Sequence, residues 1–135
     1  MKQCSVLIVM ADGCVTPHRG ALERTGFRVA ETRDWPADSM ILEFQVVIVL
    51  LRHVESACMV AARIRAKPHF GHRVLIAVAP ATTSVNERRA AIGSGFDDVL
   101  SESQQSRLLI TRILRHLRGR PEHSCFLPER RRRAA

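Results

Sequence analysis

The sequence has few aromatic residues, no tyrosine and no long apolar run. Phenylalanine and tryptophan make up only 4% of the 135 residues, so the chain has little with which to stack the bases of single-stranded nucleic acid. No apolar stretch reaches the roughly 18 residues needed to span a bilayer. No secretory signal, with its apolar region and cleavage site, precedes the first apolar run. We therefore expect a soluble, cytoplasmic protein with no membrane partner.

Motifs of common catalytic and cofactor sites are also missing. Four cysteines, at positions 4, 14, 58 and 125, form neither a Cys-x-x-Cys pair nor a zinc spacing. The segment 11–15 does not match the Gly-x-Gly-x-x-Gly loop of dinucleotide sites, and the chain has no Walker lysine motif or Gly-x-Ser-x-Gly elbow. The sequence therefore predicts a protein that is not an enzyme, with no catalytic residue, no cofactor and no metal.

Acidic residues are outnumbered, with 13 Asp and Glu against 21 Lys and Arg, and the formal net charge is +8. The segment 119–135 contributes +3 of this, and residues 1–118 keep +5. The excess permits contact with nucleic acid or with acidic proteins but identifies neither. The arginine run of the segment could contact phosphates or could simply be solvated; it consists of Arg130, Arg131, Arg132 and Arg133.

Short apolar runs alternate with helical patterns five times. Strands are predicted at 5–10, 27–31, 46–51, 74–79 and 99–100, and helices at 17–25, 35–42, 55–66, 85–95 and 104–118. Ser84 and Glu87 have the spacing of a capping box, and either Gly93 or Gly95 ends the helix that it opens. The alternation predicts an α/β domain over 1–118 with a parallel sheet, while the basic segment 119–135 is predicted to be a flexible extension.

Several segments, in their order and spacing, resemble the CheY-like receiver domain of bacterial response regulators over about residues 4–118. They include the first apolar run, the third run at 44–51, the close of the third helix at 63–66, and the segment 90–100. The last ends in Gly95-Phe96-Asp97-Asp98-Val99-Leu100, which is similar to the family's Gly-Ala-Asp-Asp-Tyr-Leu. The resemblance implies a three-layer (βα)5 flavodoxin/CheY-like fold with a five-stranded parallel sheet.

The resemblance does not extend to the residues that bind the metal and handle the phosphoryl group. A working receiver holds Mg²⁺ through an acidic pair and an acceptor aspartate, and a hydroxyl and a lysine handle the phosphoryl group. The acidic pair falls on Met10 and Ala11, with Asp12 beside them, and the acceptor falls on Leu50 or Val49. The hydroxyl position falls on Pro80, the lysine position on Glu102, and the family's aromatic switch position on Val99. The resemblance therefore implies a degenerate site and a pseudo-receiver that does not depend on phosphorylation. Weak metal binding by Asp12 and Glu102 is left open.

The leading functional prediction is a regulatory protein-binding module. In the family, the fourth helix, fifth strand and fifth helix form the usual partner or dimer face, which here would carry Arg88, Arg89, Asp97, Asp98, Arg107, Arg112 and Arg115. The partner would be a kinase, a receiver, an output regulator or a second copy, with Asp–Arg pairing across a two-fold axis. The alternatives are solvated charges, nucleic-acid association through the arginine run and basic body, and a flavodoxin-like small-ligand site.

Overall fold

The computed structural model describes residues 4–10, 18–52, 54–67, 70 and 73–119. Strands and helices alternate through them. In chain order they are β1 (Ser5–Met10), α1 (His18–Thr25), β2 (Arg28–Thr32), α2 (Asp38–Ile41), β3 (Val46–Leu50), α3 (Val54–Arg65), β4 (Val74–Ala79), α4 (Val85–Ser94), β5 (Asp98–Ser101) and α5 (Ser106–Arg118). No helix in this described part is long and apolar enough to cross a membrane.

The five strands form one parallel sheet in the order β2-β1-β3-β4-β5. Every residue of β3 and of β4 is buried, as expected for continuous apolar strands covered on both faces. Side chains alternate between two clusters: Val47 and Val49 pack with α2, α3 and α4, whereas Ile48 and Leu50 pack with α1 and α5. This arrangement confirms the predicted three-layer α/β fold.

Element boundaries differ from the prediction where tertiary packing outweighs the local pattern. Phe27 precedes β2 instead of opening it, because its backbone N–H donates to the Leu22 carbonyl and its ring is buried in the core. The second helix shrinks to the single turn of α2. Helix α5 begins at Ser106, because the Gln104 N–H bonds the Ser101 carbonyl in the preceding turn. The predicted start of α1, at Thr16 and Pro17, lies outside the described residues.

The predicted capping box of α4 is confirmed. The Ser84 hydroxyl accepts from the Glu87 N–H at 3.1 Å, and the Glu87 carboxylate accepts from the Ser84 N–H at 3.0 Å, which lowers the pKa of Glu87. Of the two glycines considered for the end of the helix, Gly95 is the cap, with φ at +130°. A Cβ at Gly95 would lie 2.7 Å from Cγ of Arg65, so glycine is needed for space as well as conformation.

A histidine joins the two helices on one side of the sheet. His18, the first residue of α1, is 4% exposed, and its Nδ1 lies 2.6 Å from Oγ of Ser106, the first residue of α5. Burial disfavours the charged imidazole and lowers the pKa of His18. The neutral ring is therefore the form that holds α1 to α5.

This histidine predicts a pH dependence of stability. The unfolded imidazole has the ordinary pKa of about 6.5, so it takes up a proton before the folded one as pH falls. The stability that His18 contributes is thus present above this pH and is lost below it. Urea unfolding at about pH 7.5 and about pH 5.5, on either side of the ordinary value, should show a smaller loss in His18→Asn than in the parent. Equal losses in the two proteins would contradict this role.

Candidate functional site

The carboxyl ends of four neighbouring strands meet at one edge of the sheet, which is where ligands bind in folds of this kind. In the strand register, Met10 lies beside Leu50, Leu50 beside Val78, and Val78 beside Leu100. Adjacent residues in parallel strands point to the same face. An apolar row therefore crosses β1, β3, β4 and β5 at the edge where a receiver carries its acidic groups.

Leu50 is buried within this row. Its side chain is 5% exposed and belongs to the cluster with Ile48, Val78 and Leu100, against which Met10 also packs. Val49, the other position considered for the acceptor, lies in the cluster on the opposite face, in register with Val9 and Ala77. Neither side chain has an atom that could accept a phosphoryl group or ligate a metal.

Pro80 and Glu102 come to the same edge. The Pro80 carbonyl accepts from the Thr83 N–H at 3.0 Å, which turns the chain away from the sheet. The Glu102 N–H donates to the Ala79 carbonyl at 2.8 Å, and its side chain is exposed. Met10, Leu50, Pro80 and Glu102 thus lie at the carboxyl ends of neighbouring strands, while Ala11 and Asp12 lie outside the described residues. Their assignment to the positions of the family's site stays a prediction.

The described residues at this edge do not supply the ligand set of a magnesium site. Mg²⁺ is held by carboxylate and other oxygen ligands in octahedral geometry. Of the four residues brought together, only Glu102 offers a carboxylate. Within the ranges that the structure describes, no three His, Cys, Asp or Glu side chains are grouped as metal ligands. The pairing of Asp12 with Glu102 stays a prediction.

Val99, the predicted switch position, is a small and buried residue. Val99 is 9% exposed and lies in the cluster with α3 and α4, in register with Ala77 of β4. Beyond it, Ser101 is buried, and its hydroxyl pairs with that of Ser103 at 2.8 Å. No large ring stands at Val99 to move between inner and outer positions.

The Asp97 side chain connects α3 to β4 through hydrogen bonds. Its Oδ2 accepts from the guanidinium of Arg65 at 2.6 Å and from the Leu75 N–H at 2.7 Å. Arg65 also donates to the carbonyls of Gly95 and Arg73, both at 2.8 Å. This network joins the end of α3 to the starts of β4 and β5.

Asp98 ties β5 to α5. Its side chain is 13% exposed, and Oδ2 contacts the guanidinium of Arg112 at 3.3 Å and Nε2 of His116 at 3.1 Å. Both aspartates of the predicted partner face are therefore engaged within the chain. Arg89, Arg107 and Arg115 remain exposed, and Arg88 and Arg112 are half-buried. The arginines at 130–133 lie outside the described residues.

Two exposed apolar residues on α4 were missed in the sequence. Val85 and Ile92 are 62% and 50% exposed, and Arg89 lies between them at helical spacing. The three residues define what we call the α4 outer face. The spacing of four and three residues is visible in the sequence, but spacing alone does not show which side of a helix is exposed.

No family model and no curated protein matches the sequence. Solved structures do match it. A response regulator from Thermotoga maritima superposes with a TM-score of 0.71 at 18% identity, covering 84% of this chain and 97% of its own. An atypical orphan response regulator whose structure revealed a phosphorylation-independent regulatory mechanism gives 0.69 at 21% identity, covering 84% of this chain and 95% of its own.

An orphan response regulator of H. pylori gives a TM-score of 0.61 at 17% identity, covering 84% of this chain and 96% of its own. Identities this low carry information about the fold, and the shares covered show that the match spans nearly the whole of each of these receivers. The chain has the receiver-domain fold of response regulators.

Proposed function

We propose that the chain is a pseudo-receiver, a signalling module that regulates a protein partner by binding it and that does not use phosphorylation. The observation that carries the proposal is the apolar row at the carboxyl ends of the strands, with Leu50 buried inside it. The receiver fold supports a role in signal transduction. That the chain is not an enzyme and that it acts in the cytoplasm stay predictions.

Phosphoryl transfer to a receiver requires an oxygen nucleophile beside a metal ion and a cation, which offset the charge that develops on the phosphoryl oxygens. Leu50 offers only carbon, and its buried side chain packs with Ile48, Val78 and Leu100. By the resemblance, Glu102 takes the position of the family's lysine, and its negative charge would repel the phosphoryl oxygens. The similarity to an atypical regulator with a phosphorylation-independent mechanism supports the same conclusion.

The α4 outer face supports protein binding. Exposed valine and isoleucine at helical spacing provide apolar area of the kind that anchors protein interfaces, and Arg89 between them can pair with an acidic group. Asp97 and Asp98 are held within the chain, so the acidic group that pairs with Arg89 would be another carboxylate of the partner. A kinase, another receiver, an output regulator or a second copy are the partners that the receiver fold suggests.

The absence of phosphorylation can be measured directly. The full chain is incubated with acetyl phosphate and Mg²⁺, and its intact mass is recorded. We expect no phosphoryl adduct, because Leu50 cannot accept the group, whereas a receiver that keeps its acceptor aspartate should gain one in the same reaction. An adduct that maps to an aspartate of this chain would contradict the proposal.

The α4 outer face is tested by replacing its apolar residues. Val85→Ser with Ile92→Ser should weaken self-association, measured by sedimentation, or capture of a partner from native lysate, by about tenfold or more, because each anchor contributes about 1 kcal/mol. Leu42→Ser with Met59→Ser removes two other exposed apolar residues and serves as the matched control.

Thermal unfolding should be similar in the two double variants and the parent, since all four side chains are exposed. Equal weakening by the two pairs would show that the α4 outer face is not the contact. A parent chain that is monomeric and captures no partner would contradict the protein-binding function itself.

A further inference from the structure

The outer face of α5 differs in chemistry from the α4 outer face. Its exposed positions are Arg107, Thr111, Arg115 and Arg118, which we call the α5 row. At 100° per residue these four positions fall within one narrow side of the helix, and at 1.5 Å per residue they span about 16 Å. The three guanidinium groups therefore stand in line along one straight element.

Among the residues that the structure describes, no carboxylate pairs with this row. Helix α5 contains no Asp or Glu, and the row's three arginines form no ion pair within the part of the chain that the structure describes. Arg112, on the flank of the same helix, is instead held by Asp98. Like charges along one helix face repel each other, so an anion that lies along the row relieves an unfavourable interaction as well as forming new ones.

The surroundings of the row are polar. None of the exposed large apolar side chains of the described residues lies on α5. A groove of about 410 Å³ adjoins the start of the row and is lined by Ser103, Gln104, Gln105, Arg107, Leu108 and Thr111. A protein partner needs apolar anchors at the centre of its contact, whereas interfaces with nucleic acid are polar and strongly positive. The α5 row matches the second description.

The aromatic and hydroxyl side chains help to distinguish between a single strand, an RNA duplex and a DNA duplex as the ligand. Single strands are held by stacking on aromatic rings. Among the described residues Phe27, Phe44, Phe70 and Phe96 are buried, and Trp35 is half-buried against the core on the other side of the sheet from α5. RNA duplexes are recognised in part through their 2′-hydroxyls. The single hydroxyl of the row, on Thr111, donates its proton to the Arg107 carbonyl at 2.9 Å, so it has none to donate to a 2′-hydroxyl. A DNA duplex, whose phosphates can be contacted without reading a 2′-hydroxyl, is the form that the arginines of the row fit.

We propose that the α5 row binds the phosphate backbone of double-stranded DNA without reading its sequence. The contact goes beyond the protein-binding function and does not depend on it, because the two surfaces lie on different layers of the fold. Each guanidinium that reaches a phosphate releases counterions, so affinity should fall steeply with salt.

The test measures binding of the full chain to a fluorescently labelled DNA duplex by anisotropy, over a series of salt concentrations. The variant Arg107→Gln/Arg115→Gln/Arg118→Gln is compared with Arg24→Gln/Arg33→Gln/Arg63→Gln, which removes three exposed arginines from other surfaces and changes net charge equally. We expect the α5 variant to lose about tenfold or more in affinity at low salt. Its slope of log affinity against log salt should be shallower by about 3, close to one unit per lost contact.

The control variant should keep most of the parent's affinity and slope, and circular dichroism should show both variants folded. Equal losses in the two variants would overturn the proposal, since net charge alone would then explain binding. No binding of the parent to duplex DNA at low salt would also overturn it. Tighter binding to an RNA duplex, to a single strand or to anionic vesicles would reject DNA as the ligand of the row.

Discussion

Strand β3 is buried at all five positions, and the rest of the molecule is arranged around that constraint. A strand covered on both faces must be apolar on both, so alternate residues of β3 supply the cores beneath α1 and α5 and beneath α2, α3 and α4. The alternation continues to the last residue. Leu50 therefore extends the core beneath α1 and α5 to the carboxyl end of the strand, where folds of this kind usually bind their ligands.

The charged residues near β5 divide into those that are paired within the chain and those that are exposed. Asp97 connects α3 to the start of β4, and Asp98 connects β5 to α5, so both carboxylates are paired within the chain. The exposed residues of α4 and α5 form two separate surfaces. The α4 outer face combines valine and isoleucine with arginine, and the α5 row has arginine without exposed apolar groups. A single predicted partner face thus becomes two surfaces with different chemical preferences.

Features set by neighbouring residues could be predicted from the sequence. The uninterrupted apolar runs of β3 and β4 indicated covered parallel strands, and Ser84 with Glu87 indicated the start of α4. Pairings between distant residues could not be predicted. Arg65 meets Asp97 from 32 positions away, and His18 meets Ser106 from 88. The roles of the two aspartates depend on such pairings, which is why exposure could not be assigned to them from spacing alone.

The packing of Leu50 at the end of β3 separates a closed core from an open site. Urea unfolding of Leu50→Ala and Leu50→Asp measures how much this side chain contributes to stability. We expect Leu50→Ala to lose about 2–4 kcal/mol of the free energy of unfolding. Leu50→Asp should lose more, because it places a carboxylate in an apolar cluster. The exposed Leu42→Ala should change stability by less than about 0.5 kcal/mol. A Leu50→Asp protein as stable as the parent would contradict the account, since the strand end would then be an open site and not a packed core.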